Sequence, residues 1–243
     1  MITKQLHSLQ HPLVKEIVQL RKNKNFRNEK KQVLVVGKKI VAEIAKQKRI
    51  ITLITSSCLY NDIKADTILH VSDQIMKKIT NLQSPEDIAA IVDMPTLENI
   101  PTKKPLLVLD QISDPGNLGT LIRSALSLNW QGVILTPNTV DPFNDKAIRA
   151  SKGACFFLPI FFLDEEKILE ISNANFYVAD LNGKNIDEIK PDKNAVLILS
   201  NESHGTSTWA KKINNTITIP MNNNVDSLNV AICGSIIMHH MRG

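Results

Sequence analysis

The sequence predicts two α/β domains in tandem, the second built on a mainly parallel sheet covered by helices on both faces. Three observations predict it. Apolar runs of strand length alternate at short spacing with stretches of helical period along almost the whole chain, the pattern of βα units. Residues 94–105, Met-Pro-Thr-Leu-Glu-Asn-Ile-Pro-Thr-Lys-Lys-Pro, set three prolines among polar residues and read as a linker. Charge is split as well: residues 1–50 hold 13 Lys/Arg and 3 Asp/Glu (net +10), the remainder 16 and 21 (net −5). The expected boundaries are a small basic domain over 1–96, a linker over 97–105 and a second domain over 106–243.

In the first domain the period predicts a helix over 11–31, with Pro12 in its first turn and Leu13, Ile17 and Leu20 on one side. Strands follow at Gln32–Val36, Ile50–Thr55, Thr67–Val71 and Ile88–Val92, with helices at Lys38–Gln47 and Asp73–Thr80. Ser72 is placed to cap the latter. In the second domain strands are expected at Leu106–Leu109, Val133–Thr136, Phe156–Phe162, Phe176–Asp180, Ala195–Leu199 and Thr216–Pro220. Helices are expected after Asp114-Pro115-Gly116-Asn117, at Lys146–Lys152, at Glu165–Ser172 and over Ser227–Met241, with Asn182-Gly183 a turn.

Composition narrows the function classes. With 43% hydrophobic and 22% charged residues the chain reads as an ordinary globular protein. No apolar run is long enough to span a bilayer, and the N-terminus lacks the apolar core of a secretion signal, so no membrane role is expected. Cys58, Cys155 and Cys233 lie far apart and match no zinc spacing, which points to a reducing cytoplasm and no metal. Phe26 is the one aromatic in the basic first 50 residues, so phosphate contact and shape recognition suit that region better than base stacking.

Three stretches carry candidate chemistry. Residues 105–125 read as a buried strand, a tight turn and an amphipathic helix holding Asn117 and Arg123. The turn opens at the carboxyl end of a parallel strand, where open α/β sheets place ligands. Residues 197–205, Leu-Ile-Leu-Ser-Asn-Glu-Ser-His-Gly, run a buried strand into small and polar residues, with Glu202 the single acid. Residues 219–230, Ile-Pro-Met-Asn-Asn-Asn-Val-Asp-Ser-Leu-Asn-Val, leave a strand at a proline and open an apolar helix. Ser227 reads as its N-cap there, and Asn229 falls in its first turn. Each has a plain structural reading on its own; their order along the chain is what gives them weight. No GxGxxG follows the first strand of either domain, which disfavours a dinucleotide enzyme.

Asp-x-x-x-Asp-Pro-x-Asn-x-Gly-x-x-x-Arg, then Asn-Glu-x-x-Gly after a strand, then Ile-Pro-Met with Ser-Leu-Asn-Val, resembles the three-motif signature of the SpoU (TrmH) branch of SPOUT RNA methyltransferases. The resemblance covers residues 106–241, and the N-terminal part is similar in pattern to the substrate-binding domain many members carry. It implies methyl transfer from S-adenosylmethionine to a ribose 2′-hydroxyl of structured RNA. It also implies an α/β fold with a deep C-terminal trefoil knot, and a homodimer in which the first motif's Arg approaches the other subunit's cofactor. By motif position, Asn117, Arg123, Glu202, Ser227 and Asn229 are the implied catalytic set. Leu199, Ser200, Asn201, Gly205, Ile219, Met221 and Leu228 are the implied cofactor-binding set.

The chain departs from the pattern at Ser200 and Ser203, where glycines are usual, at Asn223, where glycine follows Ile-Pro-Met-x, and at Val36 before Gly37, where relatives often show Glu. These replacements motivate an alternative, a non-catalytic RNA-binding relative with a decayed cofactor site. The basic N-terminal domain favours ribosomal over transfer RNA, a transfer-RNA enzyme being the other reading. A guanidinium beside the ribose oxygen would favour its anion. Arginine itself stays protonated, its pKa in proteins exceeding about 12, so the proton acceptor is open between an Arg123 deprotonated by its surroundings, a phosphate and a water relay.

Overall fold

The structure, a computed structural model, describes residues 2–57, 59–60, 62–95, 103–201, 205–222 and 227–242. It divides into two compact units, Met1–Thr96 with Phe143–Phe156, and Leu97–Pro142 with Phe157–Gly243.

The first unit holds strands β1 (Ile2–Leu6), β2 (Gln32–Val36), β3 (Ile50–Thr55), β4 (Ala65–Val71) and β5 (Ile88–Asp93), in the order β1-β4-β3-β5-β2. β1, β4 and β3 run parallel, while β5 is antiparallel to both β3 and β2. The expected strands are all present. β1 is an addition that local pattern does not reveal: it is an edge strand in which only Leu6 is buried, so it shows no apolar period to read.

The expected single helix over 11–31 is two, α1 (Pro12–Lys22) and α2 (Lys24–Lys30). Asn23 breaks them, with extended backbone and a side chain that accepts from the Phe26 N–H. Arg27, 3% exposed, folds back so that Nη1 donates to Leu20 O (2.7 Å) and Arg21 O (2.9 Å), satisfying carbonyls at the end of α1. Arg21 is buried too, so the basic surface here is made by lysines. Val14, Ile17 and Leu20 of α1 pack with Leu34, Ile54, Ile75, Met76 and Ile79 in one core, the last three from α4 (Asp73–Thr80), which Ser72 caps. Between β2 and β3 lies α3 (Lys38–Ala45), buried through Ile40, Val41 and Ile44.

The second unit is organised on a six-stranded, all-parallel sheet of β6 (Leu106–Asp110), β7 (Gly132–Leu135), β8 (Ile160–Phe162), β9 (Asn175–Asn185), β10 (Ala195–Ser200) and β11 (Thr216–Thr218). Its order is β11-β9-β10-β6-β7-β8, the two motif-bearing strands β6 and β10 side by side at its centre. Every residue of β6 is buried, as continuous apolar strands in covered parallel sheets are. Helix α5 (Pro115–Ser127) follows β6, capped by Asp114, whose carboxylate accepts from the Asn117 N–H at 2.7 Å. The other helices of this unit are α7 (Glu165–Leu169) and α8 (Val230–Met241), while α6 (Asp145–Ser151) lies in the first unit. Ser124 of α5 and Ser235 of α8 share a hydrogen bond of 2.8 Å, and Trp130 Nε1 donates to Met238 O. No helix among the described residues is long and apolar enough to cross a membrane.

Three expectations differ here. Phe156–Phe162 is a strand only over Ile160–Phe162: Ala154–Phe156 forms a 3-10 turn, with Phe156 packed on Phe143 at 5.9 Å between ring centroids. That turn and α6 belong to the first unit. The closing helix begins at Val230, not Ser227, and its cap is Asn229. Asn182-Gly183 is not a free turn but part of an interruption inside β9. Consecutive residues Thr216 and Ile217 of β11 pair with Val178 and Lys184, so residues 179–183 bulge out between them. A Cβ on Gly183 would sit 2.5 Å from Ile217 backbone nitrogen and carbon, so this bulge closes onto β11 only with glycine.

Candidate active site

β6 and β10 pair in register, with Ser200 opposite Asp110, so the turns that follow them lie next to each other at the carboxyl edge of the sheet. The buried Asp110 carboxylate accepts from the Thr136 hydroxyl (2.9 Å) and the Ser200 hydroxyl (3.4 Å). Asn201 reaches across: its Nδ2 donates to Gln111 O at 2.9 Å and to Ser113 Oγ at 3.2 Å. Two loops about ninety positions apart are thus tied by one amide. Gly205 closes the turn, its N–H bonded to Asn201 O, at φ +65. A Cβ there would meet nothing within 4 Å, so glycine answers a backbone demand at this position and not a lack of space.

Against these loops lies a cavity of about 440 Å³, within the roughly 300–1,000 Å³ range of small-molecule and cofactor sites. Leu199, Ser200, Asn201, Gly205, Ile219, Met221 and Leu228, the whole implied cofactor-binding set, line it. Ser227 lines it as well. Serine at position 200, where the family pattern has glycine, turns its hydroxyl to Asp110. Glu202, Ser203, His204 and Asn223 lie outside the described residues.

Asn117, Arg123 and Asn229 are not on this cavity's wall. Asn229 Oδ1 accepts from the N–H groups of Ala231 (3.0 Å) and Ile232 (3.4 Å), and its Nδ2 donates to Asn117 Oδ1 at 2.9 Å. One side chain therefore caps α8 and joins the first motif to the third. Arg123 is exposed on α5, opposite the buried Leu118, Leu121, Ile122 and Ala125, and is not part of the cavity wall.

These contacts separate two roles of Asn229. Asn229→Ala removes the cap and costs about 1 kcal/mol of stability. Asn229→Asp keeps an acceptor for the α8 N–H groups but loses the Nδ2 donor to Asn117. It is expected to melt as the wild type does while losing most activity. Thermal melting and a methylation assay on the two variants check this.

The cavity also holds residues that motif reading does not reach. Asp180 and Leu181 come from the β9 bulge, Thr206 and Lys211 from the segment after β10, and Cys233 from α8. Burial pushes the Cys233 thiol up, which leaves it protonated near neutral pH. Asp180 accepts from the Thr206 hydroxyl at 2.6 Å and the Asn182 N–H at 3.0 Å. These bonds, the first foremost, together with Lys211 hold its carboxyl below the usual carboxylate range against the opposing effect of burial. The signal in the sequence was an acid at the carboxyl end of the strand beside β10, too common to single out.

The comparisons with known proteins agree with this geometry. A family model described as the SpoU rRNA Methylase family matches residues 104–239, and one described as the MRM3-like substrate binding domain matches residues 11–90. The chain is 29% identical over 252 residues to the 23S rRNA (guanosine(2553)-2'-O)-methyltransferase RlmP of Bacillus subtilis, covering 99% of this chain and 100% of that one. It is 26% identical over 199 residues to the 23S rRNA (uridine(2479)-2'-O)-methyltransferase of Streptomyces viridochromogenes, covering 74% and 68%. Among solved structures, an AdoMet-bound rRNA methyltransferase from Sinorhizobium meliloti superposes with a TM-score of 0.86 at 27% identity, covering 98% of this chain and 97% of that one. With its three motifs gathered at one sheet edge and more than half its length matched by the family model, the chain belongs to the SpoU rRNA methylase family.

Proposed function

We propose that this chain transfers a methyl group from S-adenosylmethionine to a ribose 2′-hydroxyl of ribosomal RNA. The observation that carries the proposal is the cavity at the carboxyl edge of the parallel sheet, whose wall is drawn from the second and third motifs. Its residues fit the methyl donor. Leu199, Ile219, Met221 and Leu228 supply apolar surface for a flat heterocycle, Gly205 turns the backbone with no side chain in the way, and Asp180 and Lys211 supply charge. When bound, S-adenosylmethionine supplies an electrophilic methyl group on a sulfonium. The chain's task is then to hold a ribose oxygen in line with it, mostly a matter of positioning. Arg123 stabilises the oxygen as it loses its proton, and Asn117, Glu202, Ser227 and Asn229 orient the reacting groups.

RlmP and the Streptomyces enzyme carry guanosine and uridine in their names, so what they share is the ribose and not the base. That supports a site reading sugar and backbone, with the RNA chosen elsewhere on the protein. The first unit is suited to that choice: Lys15, Lys22, Lys24, Lys30 and Lys31 are exposed on and beside α1 and α2, where phosphates would meet them.

The working form in this reading is a cytoplasmic homodimer with the family's trefoil knot in the second unit. Ile232 (54% exposed) and Ile236 (42%) make an apolar pair on α8, next to the α5 helix that carries Arg123. A second copy covering this face would bury them and bring its own cavity toward Arg123. The test is incubation of purified protein and S-adenosylmethionine with ribosomal and transfer RNA, with 2′-O-methyl positions mapped by reverse transcription. A single new methyl in ribosomal RNA is expected. Methylation of transfer RNA alone would overturn the substrate, and absence of donor binding by calorimetry would overturn the enzyme.

A further inference from the structure

Asp180 and Lys211 set one carboxylate and one ammonium on the wall of the same cavity. Among the described residues the Lys211 side chain makes no hydrogen bond or ion pair, and the Asp180 carboxylate accepts only from Thr206 Oγ1 on one oxygen and the Asn182 N–H on the other. Each oxygen keeps acceptor capacity. Opposite charges thus line one cavity without closing on each other, Asp180 from the β9 bulge and Lys211 from the segment after β10. A purely nucleoside ligand has use for an acid but none for the lysine. A ligand with an ammonium and a carboxylate on one carbon has use for both.

We propose that Asp180 and Lys211 read the amino-acid end of the methyl donor, Asp180 accepting from its ammonium and Lys211 donating to its carboxylate. The proposal rests on the reading of this cavity as the S-adenosylmethionine site. The bonds from Thr206 and Asn182 do two things for it: they aim the carboxylate and keep it ionised at neutral pH. The bulge of residues 179–183 acquires a purpose, since regular pairing of β9 with β11 through this stretch would leave no projecting Asp180.

The test is calorimetry of the full chain with three ligands: S-adenosylmethionine, S-adenosylhomocysteine and 5′-methylthioadenosine. The last keeps adenosine and sulfur but lacks the amino-acid group. Asp180→Asn and Lys211→Met are each expected to weaken the first two by about tenfold or more, the scale of a lost charge-assisted bond, and to change methylthioadenosine by less than about twofold. Unchanged methylthioadenosine binding also shows that the variants keep the folded cavity. A loss common to all three ligands would overturn the proposal alone, since it places Asp180 on the ribose or makes it a prop for the bulge. No change with any ligand would overturn it as well. Failure of the wild type to bind any of the three would overturn the cofactor reading, and the proposal with it.

Discussion

Arg123→Ala lowers methylation of ribosomal RNA by about a hundredfold or more, the scale of removing one preorganised group that stabilises a developing oxyanion. It leaves folding and donor affinity unchanged. The second half of the expectation follows from the structure. Arg123 is exposed, its side chain makes no hydrogen bond or ion pair among the described residues, and it is not on the cavity wall. Alanine is the better helix former, so the melting point holds or rises slightly. Single-turnover methyl incorporation beside calorimetry with S-adenosylmethionine measures both halves, and turnover like that of the wild type would remove Arg123 from the mechanism. Within the proposed homodimer, a mixed dimer tells which cavity it serves. Arg123→Ala paired with a chain whose cavity is blocked by Leu228→Arg retains one working site if Arg123 acts across the dimer. It retains none if Arg123 acts within its own chain.

Gly183→Ala has the larger effect on folding. Its added Cβ would meet the backbone nitrogen, Cα and carbon of Ile217 at 2.5–2.6 Å, and the backbone of a paired strand anchored by the buried Ile217 cannot swing aside as a side-chain tip can. β11 must separate from β9, at a cost of roughly 3 kcal/mol or more. The same shift moves Asp180, Leu181, Ile217 and Ile219, all of which line the cavity. Donor binding should therefore fall together with the melting point of the second unit. Gly205→Ala is the control: it too sits in the site's loops, but with nothing within 4 Å of its Cβ it bears only the left-handed backbone cost, about 1 kcal/mol. Equal damage from the two would show that backbone conformation, not the close approach to Ile217, limits the fold.

Local pattern was sufficient for most elements. Gln32–Val36, Ile50–Thr55 and Asp73–Thr80 appear with the expected bounds, because the side chains that face a core repeat at the period of the element that buries them. The ordered motifs were as informative: all seven residues they imply for the cofactor line one cavity, though that cavity also takes Asp180, Thr206, Lys211 and Cys233, which no motif names. The misses share a cause. α1 and α2 read as one helix because the break depends on Arg27 turning inward to carbonyls six and seven positions back; in a basic segment, one arginine looks like any other. Ser227 reads as the cap of α8 with Asn229 in its first turn, yet Asn229 is the cap, and its side chain also bonds Asn117, 112 positions away.

Periodicity and turn chemistry are properties of neighbouring residues, so the strands, the helices and the three motifs could be read along the chain, while the expected linker over 97–105 lies mostly outside the described residues. Which polar groups meet is a property of segments far apart in sequence, and no local pattern encodes it. The register slip between β9 and β11, the tie from Asn201 to the loop after β6, and the placing of Asp180 and Lys211 on one cavity came only with the packed sheet. The chain announced a methyltransferase through its motifs; the folded sheet added a carboxylate and an ammonium on the wall of its cavity.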